Sequence, residues 1–323
     1  MLAIQATRTG GPEVLETATL PMPEPGPGQI RIRHEAVGLN FIDTYHRSGL
    51  YPIKLPAVLG QEGAGVVDAI GEGVSRFKLG DRAAYGTGPM GAYAEAHLVP
   101  ENRAVHLPES LSTRIAAAAM LKGMTAEFLL RRCYPVKAGD AVLIHAAAGG
   151  VGAILTQWAH ALGALVIGTV GSAQKAEKAL AQGCDHVIQY RDEDIAARVK
   201  AITGGQGVRA AYDGVGAATF EASLASLGRR GMLVSFGNAS GPAPAVEPGR
   251  LARGGSLYLT RPTLFDYVAT NDELDASAAA LFHVIETGAV KIDIGQTFPL
   301  AEARRAHEAL EGRETTGQTL LIP

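Results

Sequence analysis

The chain has 323 residues, 47% of them hydrophobic and 19% charged, with a formal net charge of −3; that length predicts two domains, since single cores stop growing near this size. Its 40 glycines follow no Gly-X-Y period, which excludes a collagen-like chain, and its scattered, balanced charges exclude the basic footprint that nucleic acid requires. Only Cys133 and Cys184 occur, with no CxxC, and no long apolar run follows Met1, so neither a disulfide framework nor a secretory signal is expected and a cytoplasmic location is.

Toward the N-terminus, short β-type runs alternate with Gly and Pro, the pattern of an all-β module. Strands are predicted at Gln29–Val37, Gly63–Ile70, Asp81–Tyr85 and Ala92–Val99, separated by turns such as Pro25-Gly26-Pro27-Gly28. A helix is predicted over Leu111–Arg132, with Ser110 or Ser112 as its cap.

From Asp140 the rhythm becomes strand, helix, strand, helix. The strands are Ala141–His145, Leu165–Thr169, His186–Gln189, Ala210–Tyr212, Met232–Phe236 and Ser256–Thr260, with helices at Val151–Leu162, Ala173–Ala181 and Ile195–Ile202. Such alternation predicts an α/β fold with a parallel, doubly wound sheet. A helix near Asp272–Thr287 and a strand at Thr319–Ile322 close the chain. Ala141–Gly171 has no charged residue, but Gly149, Gly150, Gly152 and Gly163 interrupt it, so no membrane span is predicted.

The motif AAAGGVG at Ala146–Gly152 aligns with G-x-G-x-x-G at Ala147, Gly149 and Gly152, with Ala in place of the first glycine. It follows an apolar strand and opens a helix, the setting in which Gly149 lets the backbone approach a pyrophosphate, Gly152 lets the helix pack on the strand, and the helix N-terminus supplies N–H groups for the phosphates. The second strand ends in Gly171-Ser172-Ala173-Gln174-Lys175, without the carboxylate that selects NADH. A hydroxyl and a Lys there select NADPH, although a lone Lys is also an ordinary solvated helix residue.

These residues, together with Asn40–Tyr45 (NFIDTY), Arg47–Pro52 (RSGLYP), His145–Gly152, Ser235–Asn238 (SFGN) and Leu259–Pro262 (LTRP), closely resemble the zeta-crystallin-like NADPH:quinone oxidoreductases. The resemblance runs nearly end to end. It implies a GroES-like β-rich catalytic domain, here 1–123 and 264–323, and a Rossmann NADPH-binding domain, here 124–263. It implies homodimers or larger assemblies, with dimers paired through the edge strand Ser256–Thr260. Carried over by position, it assigns cofactor contacts to Asn40, Phe41, Thr44, Gly149, Gly150, Val151, Gly171, Ser172, Lys175, Tyr190, Phe236, Asn238 and Arg313. It assigns the substrate pocket to Asn40, Tyr45, Tyr51 and Arg261.

Related alcohol dehydrogenases use zinc, held by a Cys within the segment that here reads Val37–Asp43 and by the His of a Gly-His-Glu motif. Here the segment has no Cys and the motif is Gly60-Gln61-Glu62, so no metal is expected. Without a Lewis acid a simple alkoxide is hard to make. A quinone instead yields a delocalised, phenolate-like anion whose parent acid has a pKa of roughly 10. Quinone reduction is therefore the expected activity, by one or two electrons, with reduction of a conjugated alkenal or enone as the alternative and a non-enzymatic crystallin-like or RNA-binding role as a distant third.

Overall fold

The computed structural model describes residues 1–323. The chain divides into two compact units, Met1–Met124 with Val268–Glu286 and Ile292–Pro323, and Thr125–Tyr267 with Thr287–Lys291.

The first unit opens with β1 (Leu2–Ala6), β2 (Leu15–Thr19), β3 (Gln29–Gly38), α1 (Phe41–Ser48), β4 (Ala57–Val58), β5 (Glu62–Ile70), β6 (Arg82–Tyr85), β7 (Ala96–Pro100) and β8 (Val105–His106), followed by α2 (Thr113–Phe128). Alternating buried positions along β3 place Ile30 and Ile32 in a core that also holds Val37, Leu59, Tyr85, Tyr93 and Val99. α1 begins with a capping box between Asn40 and Asp43 and stops at Gly49, whose left-handed φ of 83° suits a residue without a side chain. Ser112 caps α2, its Oγ accepting from Ile115 N at 3.2 Å.

Two sequence expectations need correction. The run Ala92–Val99 is a strand only from Ala96, because Tyr93 N bonds to Leu59 O while Glu95 N bonds to Leu2 O, so two different partners divide it. The helix expected to reach Arg132 is α-helical to Phe128 and continues as a π-helical turn over Leu129–Cys133.

In the second unit the sheet is built from β9 (Ala141–Ile144), β10 (Leu165–Val170), β11 (His186–Gln189), β12 (Val208–Asp213), β13 (Leu227–Ser235) and β14 (Tyr258–Thr260). Between them run α3 (Gly150–Ala161), α4 (Ala173–Ala181), α5 (Ile195–Ile202), α6 (Phe220–Ser226) and α7 (Pro248–Arg253), with α8 (Leu264–Tyr267) after β14. The strands are parallel in the order β11-β10-β9-β12-β13-β14, a doubly wound Rossmann-type sheet. Strand order reverses between β9 and β12, which is where such sheets bind ligands. α3 is buried over most of its length, which accounts for the uncharged sequence from Ala141 to Gly171. No helix is long and apolar enough to cross a membrane.

The chain returns to the first unit with α9 (Asn271–Glu286), β15 (Ile294–Pro299), α10 (Ala303–Glu311) and β16 (Gln318–Ile322). β15 and β16 extend a seven-stranded sheet in the order β15-β16-β3-β5-β6-β8, with β7 also on β3.

Candidate functional site

The second unit brings two sequence-predicted clusters to the carboxyl ends of its strands. After β9 the backbone turns at Ala146, whose φ is 51°, and Gly149 then caps α3. A Cβ on Gly152 would lie 2.2 Å from Ala146 O, so only glycine lets the helix approach the turn. The glycine missing at Ala147 is supplied by the neighbouring strand: a Cβ on Gly168 of β10 would lie 2.7 Å from the Ala147 methyl. Gly149 N, expected to face an anionic group, instead donates to Ala146 O at 2.8 Å within the turn.

The second cluster lies at the ends of β10 and β11. Ser172 Oγ accepts from Lys175 N at 3.4 Å and caps α4. Tyr190 follows β11 and lies against Gly171, where a Cβ would meet its hydroxyl at 2.5 Å. Tyr190 thus lies on Gly171, Ser172 is tied to the Lys175 backbone, and none of the four is a carboxylate.

Beside β13, Phe236 N bonds to Asp213 O at 2.8 Å and the Phe236 ring covers Gly214. A cavity of about 340 Å³ is lined by Ser235, Asn238, Leu259 and Arg261, with Phe220 and the Pro242–Pro244 loop. Arg261 Nη1 donates to Ser235 O at 2.9 Å, and the buried Ser235 Oγ has no partner.

Asn40, Phe41, Thr44, Tyr45, Tyr51 and Arg313 belong to the first unit. α1 carries the first four from its N-cap onward. The Tyr45 and Tyr51 rings meet edge to face at 5.2 Å, and Tyr51 N donates to Tyr45 O. Thr44 Oγ1 donates to Phe41 O at 2.7 Å. Arg313 occupies the turn after α10 with a left-handed φ of 60°.

A buried chain anchors α1: Tyr93 OH donates to Asp43 Oδ2 at 2.9 Å, lies 2.9 Å from His307 Nε2, and His307 Nδ1 lies 2.9 Å from Arg47 Nη1. Burial pushes the Asp43 carboxyl up to about 7. Burial, helped by Arg47, holds His307 down to about 3.

Sequence reasoning named Glu62 only within the Gly60-Gln61-Glu62 motif and did not find its partner Lys122. The Glu62 carboxylate, wholly buried, accepts from Lys122 Nζ at 2.5 Å, Leu121 N at 2.7 Å and Asn40 Nδ2 at 2.9 Å. The expected donor Asn40 therefore turns an amide hydrogen to Glu62. Besides that motif, the available signal for the pair was a Glu at the head of a mostly apolar strand and a Lys in an alanine-rich helix.

A Rossmann sheet with a glycine turn at its switch point, in a chain whose other unit is a β-rich module, defines a medium-chain dehydrogenase/reductase. A family model described as an alcohol dehydrogenase GroES-like domain matches residues 26–109, and one described as a zinc-binding dehydrogenase matches 150–280. The quinone oxidoreductase of Pseudomonas aeruginosa is 53% identical over 321 residues, covering 99% of both chains. The structure of Escherichia coli quinone oxidoreductase complexed with NADPH superposes with a TM-score of 0.98 at 49% identity, covering 100% of both chains. A 2-haloacrylate reductase from a Burkholderia species is 42% identical over 332 residues, covering 100% of this chain and 99% of its own. Within that superfamily, the chain belongs to the quinone oxidoreductase family.

The residues do not fit the zinc ion that the second model's description implies. Lys122 fills the side of Glu62 a cation would use, Gln61 stands beside it, and no three His, Cys, Asp or Glu side chains converge.

Proposed function

We propose that this protein catalyses NADPH-dependent reduction of quinones without a metal. The observation that carries this reading is full-length similarity, at about half identity, to a quinone oxidoreductase solved with NADPH. The glycine turn and the acid-free patch at Ser172–Lys175 support it from this chain's own geometry.

NADPH, when bound, supplies the reducing equivalent. Gly149, Gly150 and Val151 hold its pyrophosphate at the positive end of α3. Ser172 and Lys175 hold the 2′-phosphate, with Tyr190 and Gly171 beside the adenosine. Asn40, Phe41, Thr44, Phe236, Asn238 and Arg313 complete the coenzyme contacts. Tyr45 and Tyr51 contact the flat acceptor and offer hydroxyls, while the Arg261 guanidinium stabilises the charge that forms on the acceptor oxygen. A conjugated ring spreads that charge, so donors can replace a Lewis acid.

The test is turnover of 1,4-naphthoquinone with NADPH and with NADH, with and without a chelator. NADPH preference and chelator resistance are expected; chelator-sensitive turnover overturns the metal-free reading. The haloacrylate-reducing relative favours a second reading, hydride delivery to a conjugated C=C. Faster turnover of 2-chloroacrylate or a 2-alkenal than of any quinone would establish that one instead.

The assembly we propose is a homodimer in the cytoplasm. β14 is a three-residue sheet edge with Tyr258 56% and Leu259 36% exposed, which supports pairing with a second copy. The two free cysteines fit a reducing compartment.

A further inference from the structure

Beneath the coenzyme turn, four buried polar side chains form one connected chain. His145 Nδ1 lies 2.9 Å from Thr169 Oγ1, and its Nε2 lies 2.8 Å from Ser223 Oγ. Ser223 Oγ lies 2.7 Å from Asp213 Oδ2. Asp213 also accepts from Val215 N, Gly216 N and Thr219 Oγ1. Thr169, His145, Asp213 and Ser223 are each at most 3% exposed.

Elementary valence sets the direction of every bond. A carboxylate only accepts, so the Ser223 hydroxyl donates to Asp213. Ser223 Oγ then accepts from His145 Nε2–H, which leaves Nδ1 as the acceptor for the Thr169 hydroxyl. Burial holds His145 below the usual histidine range, in keeping with this neutral tautomer. The order excludes a hydrolytic triad: the serine donates to the acid, not to the imidazole, and nothing nucleophilic faces solvent.

The chain runs from the end of β10, through the end of β9, to the end of β12, across the strand-order reversal. Three of the four members adjoin a coenzyme element, and Ser223, on α6, links two of them. Thr169 lies two residues before Gly171, and its carbonyl accepts from Ala147 N at 3.1 Å. His145 opens the Ala146–Gly149 turn. Asp213 closes the 213–219 loop, where Gly214 meets Phe236. We propose that His145 is a positioning residue for the dinucleotide, locking the pyrophosphate turn to the 2′-phosphate turn on one side and to the Asp213 loop on the other. This rests on the reading that those turns hold NADPH.

The test is fluorescence titration of NADPH into the full-length wild type and the variants Thr169→Val, Thr169→Ser, Ser223→Ala and His145→Asn, with quinone kinetics and thermal unfolding on each. Thr169→Val, Ser223→Ala and His145→Asn are expected to raise the NADPH dissociation constant about tenfold. Thr169→Ser, which keeps the hydroxyl, is expected within twofold of wild type. Thr169→Val with Ser223→Ala should bind no worse than the weaker single variant, because one broken link already releases the chain. The quinone KM should hold within twofold throughout. Variants that melt lower yet bind NADPH as the wild type does would overturn the proposal, leaving a purely structural network. Should His145→Asn not fold, the contrast between Thr169→Val and Thr169→Ser decides alone. A wild type that fails to bind NADPH would instead overturn the coenzyme reading.

Discussion

Lys122 Nζ lies 2.5 Å from Glu62 Oε1, with both side chains almost sealed from solvent at 7% and 0% exposure. A buried pair contributes little net stability compared with apolar residues, but breaking it is costly. Lys122→Met should destabilise the protein by about 3–5 kcal/mol, and Glu62→Gln added to it should restore more than half. Chemical denaturation of the two proteins checks this.

Gly168→Ala should collide with the Ala147 methyl and with Cys184 Sγ, which a Cβ would meet at 2.7 Å and 2.5 Å. Overpacking of this kind typically costs about 1–3 kcal/mol. The pushed turn should also bind NADPH more weakly. Ala147→Gly in the same molecule should recover part of both losses, as read by thermal unfolding and coenzyme titration.

Lys175→Ala should raise the NADPH dissociation constant about 10- to 100-fold and the NADH constant hardly at all, the range set by losing a hydrogen bond to a charged group. Parallel titrations measure this directly. Equal weakening of both coenzymes would show that Lys175 does not meet the 2′-phosphate.

Asp43 imposes a pH dependence on stability whose sign follows from linkage. Its folded-state pKa of about 7 lies above the ordinary carboxyl value, so its contribution is complete at low pH and is lost as pH rises toward 7. Asp43→Asn should therefore gain stability relative to wild type between pH 4 and 7, by about 1.4 kcal/mol for each tenfold displacement of the proton equilibrium. His307, held down to about 3, slopes the opposite way across much of that range in both proteins and cancels in the difference. Urea denaturation across that range tests it; a constant difference would show that Asp43 is ionised throughout.

Tyr258→Lys should yield monomers that retain NADPH binding, since an edge-strand cation opposes strand pairing. Light scattering gives the mass, and an unchanged assembly would move the proposed interface away from β14.

The Rossmann half was legible because burial on both sides of a parallel sheet writes continuous apolar runs, as at Ala141–Ile144 and Leu165–Val170. α1 was missed as a helix although its punctuation is in the sequence: Asn40 three residues before Asp43 at the start, and Gly49 at the end. The Ala92–Val99 run misled because alternation records burial, not which strand receives the hydrogen bonds. The pairing of Glu62 with Lys122 and the His145 chain stayed hidden for a common reason. Each is a long-range polar pairing, and sequence spacing carries no trace of a partner 60 or 78 residues away.

Space at the Ala146–Gly149 turn is set by two residues on different elements: Ala147, with its methyl, in the turn after β9, and Gly168, without one, on β10. A glycine fingerprint is thus a property of the sheet surface, and the vacancy a turn lacks can be donated by the neighbouring strand. Pattern searches that demand three glycines along a single line will pass over such chains. Counting backbone clearance laterally, from strand to strand, would recover them.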